Sequence, residues 1–479
     1  MDWEAVIGLE VHVQLNTQSK IFSNAPAQAG QAANQQVSLV DLAMPGVLPV
    51  LNKAVIEKAI RLGIALAATI NQKNVFARKN YFYPDLPKGY QISQMDLPII
   101  QGGTLSVAIG TLQKTIDITR AHLEEDAGKL LHNNQSGLTG IDLNRAGIPL
   151  LEIVSEPDMR SPEEAVAYAR TLHKLVTWLD ISAGDMEAGN FRMDANVSIR
   201  KKNAEKFGTR REIKNLNSFR FLEEAIRYEI AWQINCLEQN KTIEQATVLF
   251  DEKAGKTCAM RSKENAHDYR YFPDPDLLPM IISDEQIENV RRAMPKLPDT
   301  IKAHFINTYH LSDYDASLLT AQPDIATYFE EVAAISQQSK LAANWINGEF
   351  LAYLNKQHIA CSETTISAPA LAALITKIAE GKLSHKLAKQ VFDKMTTSAL
   401  SVDQIIQQEG LENITDSDEI NQWVTEVIAN NRSLVQQFLA GKEKTLNALV
   451  GQVIKRSSGK ANPNQVQNIL RKHLAKSAK

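Results

Sequence analysis

The clearest pattern in the chain lies near its start, where apolar and polar residues alternate through VIGLEVHVQL, Val6 to Leu15. Ile7, Leu9, Val11, Val13 and Leu15 share one parity, and Gly8, Glu10, His12 and Gln14 share the other, the period of a strand with one buried face. Same-face neighbours on a strand stand roughly 7 Å apart, so Glu10 and His12 can meet at one ion or phosphate if the sheet curves. A solvated strand face shows the same alternation, and recurrence is what separates the two readings. Thr115 to Lys129 alternates at Ile116 and Ile118 before His122, Glu124, Glu125 and Asp126, with strand parity placing Glu124 on the face of His122 and Glu125 on the opposite one. Arg192 to Arg200, RMDANVSIR, repeats the arrangement with Arg192, Asp194, Asn196, Ser198 and Arg200 on its polar face. Thr209 to Asn217 reads as a fourth strand, and one-sided polarity favours an antiparallel sheet.

Helical spacing appears at Asn52 to Ala68, and again after Ser161, where Ser161 as N-cap, Pro162 at the first position and Glu164 form a capping-box signature. A third helix follows Ser218 through Phe219, Leu222, Ile226 and Ile230. Ala77 to Gln94 breaks periodicity with Pro84, Pro87 and Gly89 while concentrating Arg78, Lys79, Tyr81, Tyr83 and Tyr90, and reads as a structured loop that either decorates the surface or positions phosphate. Leu277 to Pro298 reads as a connection, after which helical patterns run to the end. The fold class expected is therefore α+β: an antiparallel-sheet domain over 1–294, an all-helical domain over 295–404 and a small helical tail over 405–479.

Composition changes this picture mainly at the tail. A net charge of -3 over 479 residues excludes a wholly basic nucleic-acid coat. Yet Asn431 to Lys479 holds ten Lys or Arg against one Glu, after a stretch from Ser401 with seven acidic residues and no cation. Lys455, Arg456, Lys460, Arg471 and Lys472 suit binding to a phosphate backbone. Cys236, Cys258 and Cys361 are scattered, which argues against disulfides and thiolate zinc and for a reducing compartment. No signal segment opens the chain, the first strand starts too near Met1 for a transit peptide, and apolar runs such as Leu62 to Ile70 are too short for a bilayer; a cytoplasmic protein without a membrane partner is expected.

The polar faces together offer Glu10, His12, His122, Glu124, Glu125, Asp194 and Asn196, oxygen and nitrogen donors that suit Mg²⁺. Lys79, Arg192 or Lys214 would add positive charge for phosphoryl transfer. Neither GxxxxGK[ST] nor GxGxxG occurs, so any nucleotide needs another cradle. Three classes stay open on the residues alone: a phosphoryl-transfer enzyme, a metal-dependent hydrolase with His12 or Glu10 activating water, and a non-enzymatic RNA-binding protein.

Longer motifs narrow the choice. VIGLEVHVQL at Val6, ARKNYFYPDLPKGYQISQ at Ala77, HLEEDAGK at His122, DLNRAGIPLLEIVSEPD at Asp142, GNFRMDANVSIR at Gly189, EIKNLNSF at Glu212, DYRYFPDPDLLP at Asp268 and GQVIKRSSGKANP at Gly451 together resemble the B subunits of bacterial tRNA-dependent amidotransferases. An archaeal relative carries an extra inserted domain before the helical region, for which the chain after Pro279 leaves no space. The resemblance implies a cradle-like first domain that uses ATP to phosphorylate the side-chain carboxylate of misacylated Asp-tRNA(Asn) or Glu-tRNA(Gln). Ammonia then displaces phosphate to give the amide. It implies a heterotrimer in which an amidase, the A subunit, supplies that ammonia through a channel and a small C subunit braces the pair, with the tail binding tRNA. On that basis Glu10, His12 and Glu124 are expected at the metal, with Glu125 and Asp194 as alternates. Lys79 and Tyr81 are expected to position phosphate or the aminoacyl end, and Asn196 and Lys214 to line the same pocket.

Overall fold

The alternation at the start of the chain builds the centre of a ten-stranded sheet. The structure, a computed structural model, describes residues 2–110, 112–133, 137–262, 269–411, 417–439, 442–457, 461 and 463–477. In chain order, the elements that matter for the site are β1 (Trp3–Gln14), α1 (Lys53–Ala65), β2 (Ala77–Asn80), β3 (Tyr90–Ser93), β4 (Leu112–Glu125), β5 (Pro149–Ser155) and α2 (Pro162–Trp178). They continue with β6 (Phe191–Lys201), β7 (Arg211–Leu216), α3 (Phe219–Glu238), β8 (Ala246–Asp251), β9 (Lys256–Ser262) and α4 (Asp284–Ala293). The sheet runs β9-β8-β7-β6-β1-β5-β4, and short strands extend it beyond β4.

One face of this sheet is covered. Ile7, Leu9, Val11 and Val13 of β1 are fully buried, as are Ala195 and Val197 of β6 and Leu151 and Ile153 of β5. Helices α2 and α3 pack on this side through Ala165, Tyr168, Leu172 and Val176, and through Leu222, Ala225 and Ile226. The opposite parity of each strand is left to carry the polar residues.

Four local features differ from the sequence pattern. The pair β7 and β8 is parallel, although the neighbours around β1 are antiparallel, because α3 carries the chain across between them. The stretch Ala77 to Gln94 is not all loop: β2 and β3 pair antiparallel, with Lys79 opposite Gln91. Within the expected connection after Leu277, α4 forms behind a complete capping box at Ser283 and Gln286. At α2 the Ser161 hydroxyl accepts from the Glu164 amide at 3.2 Å, but the Glu164 carboxylate accepts from the Arg160 amide, one residue before the cap, at 2.7 Å. Glu164 also holds Lys114 of β4 at 2.7 Å, which explains the diversion of its carboxylate.

Lys20 is wholly buried beside the sheet, its ammonium donating to Asp41 at 2.9 Å and to the Leu143 carbonyl at 3.2 Å. Asp41 in turn accepts from the Ser38 amide at 2.8 Å, so the pair pins the loop that follows β1. Lys20→Ala leaves the Asp41 carboxylate buried without its cation and is expected to cost about 3–5 kcal/mol of stability, read by urea unfolding followed by circular dichroism.

The chain divides into two compact units, Met1–Leu297 and Pro298–Lys479. The second is helical, starting with Pro298–Tyr309 and continuing through Val402–Glu409 into α5 (Ser417–Asn430), α6 (Arg432–Leu439), α7 (Lys444–Arg456) and α8 (Pro463–Ser477). These last four helices close around their own core of Ile420, Val424, Leu449, Val453, Val466 and Leu470. Among the described residues no helix is long and apolar enough to cross a membrane.

Candidate active site

Strand register decides which side chains meet on the open face. His12 of β1 lies opposite Glu152 of β5 on one side and Arg192 of β6 on the other, and Glu152 lies opposite His122 of β4. Neighbouring strands are about 4.8 Å apart, so this row brings four polar side chains from four strands side by side. Glu124, one step further along β4, turns onto the same face. His12 Nε2 stands 3.3 Å from Glu152 and 3.8 Å from Glu124; His122 Nε2 stands 3.5 and 3.9 Å from the same two carboxylates.

The ligand atoms of His12, Glu124 and Glu152 all lie within 4.8 Å of one another. Two carboxylates this close and this buried cannot both ionise freely. Burial, and then Glu152, push Glu124 up to about 8. For His12, burial favours the neutral ring, but its bond to Glu152 and the charge of Glu124 outweigh that and raise it to about 8. His122 goes the other way, held down to about 4 by burial despite Glu152, and is a neutral ring at pH 7. The donors of this group suit a hard divalent cation: two carboxylates for Mg²⁺ or Mn²⁺, with an imidazole at the edge of what Mg²⁺ accepts. The residues fit such an ion. Because a cation must displace the proton that Glu124 retains up to about 8, metal affinity is expected to rise between pH 6.5 and pH 8.5, measured by titration calorimetry with Mg²⁺ and Mn²⁺.

The other expected site residues divide. His12 and Glu124 belong to the converging group, and its third member is Glu152 rather than Glu10. Glu10 sits one row away, between Asp194 and Val154, and accepts from Asn196 Nδ2 at 2.8 Å; burial, followed by repulsion from Glu152, raises its carboxyl. Glu125 points off this face: its carboxylate takes the Ile92 amide at 2.8 Å and pairs with Lys88, fastening β3 to the end of β4. Asp194 accepts from Lys214 at 2.8 Å, and Glu212 lies 3.0 Å from the same ammonium, so Lys214 is a bridge between two carboxylates. Lys79 of β2 faces the metal group; burial works against its charge, but Glu124, Tyr271 and Glu152 hold it above the ordinary lysine range. Its ammonium lies 5.0 Å from the centre of the Tyr269 ring, and Tyr81 packs edge-on against the same ring at 6.3 Å.

Glu152 is the residue that reading the alternation misses. Its segment, PLLEIVS, holds a single charged side chain in an apolar run, and the available signal is the parity of that one Glu within a strand. In the second unit, Lys455 and Lys472 are exposed, whereas Arg456 pairs with Glu426 and Arg471 lies 3.6 Å from Glu443. Lys460 lies outside the described residues.

Residues 5–288 match the family described as the GatB/GatE catalytic domain, and residues 327–474 match the one described as the GatB domain. The chain belongs to the GatB family. Among its relatives, a protein of Chromobacterium violaceum is 62% identical over 475 residues, covering 99% of this chain and 100% of the relative. One of Neisseria meningitidis serogroup B is 60% identical over 476 residues, and one of Laribacter hongkongensis 58% over 475, again with 99% and 100% coverage. All three are named as the B subunit of an aspartyl/glutamyl-tRNA(Asn/Gln) amidotransferase. Within the GatB/GatE catalytic domain lie every member of the metal group, Lys79 and the tyrosines beside it.

Proposed function

We propose that this chain is the B subunit of a glutamine-hydrolysing, tRNA-dependent amidotransferase that converts misacylated Asp-tRNA(Asn) or Glu-tRNA(Gln) to the amide form. The observation that carries the reading is the end-to-end likeness to amidotransferase B subunits, at 62% identity for the Chromobacterium violaceum protein. Its partners are the amidase that supplies ammonia, the small third member of the heterotrimer and the misacylated tRNA. The hydrolase alternative and the non-enzymatic alternative have no comparable support.

A carboxylate resists amidation because it is anionic and its oxide is a poor leaving group. Transfer of the γ-phosphoryl group of ATP to one carboxylate oxygen, with ADP leaving, makes an acyl phosphate; ammonia then adds to the acyl carbon and phosphate departs. The chain's task in both steps is alignment and control of crowded negative charge. His12, Glu124 and Glu152 would hold a divalent cation, which when bound neutralises nucleotide phosphate. Lys79 adds a fixed positive charge on the same wall. A cavity of about 280 Å³ beyond Glu10, lined by Gly8, Asn196, Ser198 and Phe207, suits the nucleoside end of ATP. The basic tail, 405–479, would grip tRNA through its exposed lysines. A cytoplasmic location follows from an aminoacyl-tRNA substrate and accords with the free cysteines Cys236, Cys258 and Cys361.

The test is amidation of Glu-tRNA(Gln) and Asp-tRNA(Asn) by the reconstituted trimer with glutamine. Product that requires ATP and a divalent cation is the expected result; product formed at the same rate without ATP would overturn the phosphoryl-transfer step. Lys79→Met is expected to lower turnover about 10²-fold, measured in the same assay at saturating ATP.

A further inference from the structure

Arg192 belongs to the cross-strand row but not to the group of His12, Glu124 and Glu152. It lies opposite His12 in the β1–β6 register and so rises from the same face as the metal group. Its guanidinium reaches over the C-terminal end of β1 to Asp126, donating from Nη2 at 3.0 Å. Asp126 is fixed independently: it accepts from Gln14 Nε2 at 2.7 Å, and Gln14 accepts in turn from Asn190 at 2.8 Å. The head of Arg192 is therefore held in place two residues beyond Glu124, at the end of the metal group's wall.

Its charge is not used up there. Arg145 also approaches Asp126, at 3.6 Å, while donating to the carbonyls of Ala127 at 2.9 Å and Gly128 at 2.7 Å. Two guanidiniums on one carboxylate leave one positive charge over. Nε of Arg192 is buried and has no hydrogen-bond partner among the described residues, a costly state for a charged donor unless something else takes the bond. Lys214, by contrast, is shared between Asp194 and Glu212.

We propose that Arg192 anchors the side-chain carboxylate of the aminoacyl group of the misacylated tRNA, an inference that rests on the amidotransferase reading. A planar guanidinium edge matches the two oxygens of a carboxylate, and the reacting carboxylate must be brought up to Glu152, whose charge repels it. Donors on the arginine also separate substrate from product. The amide presents N–H groups where the acid presented an acceptor, so the product loses the contact and meets donors facing donors.

The experiment compares the wild-type trimer with trimers carrying Arg192→Gln or Arg192→Lys. It reads KM for Glu-tRNA(Gln), KM for ATP, and equilibrium binding of Glu-tRNA(Gln) against Gln-tRNA(Gln). Arg192→Gln is expected to raise KM for the misacylated tRNA about 10- to 100-fold, to leave KM for ATP within about twofold, and to erase the preference for acid over amide. Arg192→Lys, which keeps the charge but not the fork, is expected to recover part of that preference, and thermal melting checks that both variants fold. A rise in KM for ATP with the tRNA values unmoved would overturn the proposal in favour of a phosphate contact. Unchanged values throughout would reduce Arg192 to a structural partner of Asp126. Failure of the wild-type trimer to amidate either misacylated tRNA would sink the amidotransferase reading itself, whereas normal wild-type activity with an unaltered variant sinks only this inference.

Discussion

Glu152→Gln is expected to lower transamidation by at least about 10²-fold and to make the metal-free protein less stable than the wild type near neutral pH. The two halves of this expectation have one cause. Glu152 and Glu124 offer ligand oxygens within 4.8 Å of each other and of His12; Glu124 keeps its proton up to about 8, whereas His122 and His12 outweigh burial and hold Glu152 well below the usual carboxylate range as the anion of the pair. An amide in its place removes the anion that pairs with His12 and the ligand together. The melting temperature without metal should therefore fall, the increase caused by Mg²⁺ in the wild type should vanish, and amidation should collapse even at saturating tRNA and ATP. A variant that melts earlier and keeps its response to Mg²⁺ would mean that Glu152 is a structural partner of His12 only. Glu125→Gln is the informative control, because that carboxylate fastens β3 through Lys88 and the Ile92 amide and has no place in the metal group.

The second large effect belongs to the tail. Replacing Lys455 and Lys472 with Ala is expected to weaken tRNA binding roughly evenly across tRNA species and to reduce the slope of log affinity against log salt by about 2, close to one unit per lost phosphate contact. These two lysines are exposed, whereas Arg456 and Arg471 share their charge with Glu426 and Glu443. The corresponding double replacement of the arginines should change the slope less. Filter binding between about 50 and 200 mM salt measures both, and an unchanged slope for the lysine pair would remove the tail from the tRNA interface.

Much of the architecture is legible in residue order because the relevant strands are half-buried. In β1 and β6 every second residue is apolar, and the polar residues between them mark the open face. Partner choice is harder to read, since alternation gives the face of a residue but not its neighbour across the sheet. That is why Glu10 looks as good a ligand as His12: both share a parity, and only the pairing of His12 with Glu152, and of Glu10 with Val154, separates them. The run Glu124, Glu125, Asp126 illustrates the same point. Glu124 converges with His12 and Glu152, Glu125 turns to β3, and Asp126, past the end of the strand, takes Gln14 and Arg192. Glu152 is hidden for the opposite reason, as a lone charge in a strand flanked on both sides by others.

The position of β1 between β5 and β6 has a consequence for how the chain is made. Synthesis delivers β1 first, but its neighbours begin only at Pro149 and Phe191. At ribosomal speeds of about 5–20 residues per second, the gap before β5 amounts to roughly 7 to 27 seconds. For that interval a half-apolar ribbon hangs from the exit tunnel with both of its edges unsatisfied, a state that invites self-association and calls for a holding chaperone. Nascent chains arrested before Pro149 should therefore be the sticky ones, and those that have released Lys201 should be free of the problem.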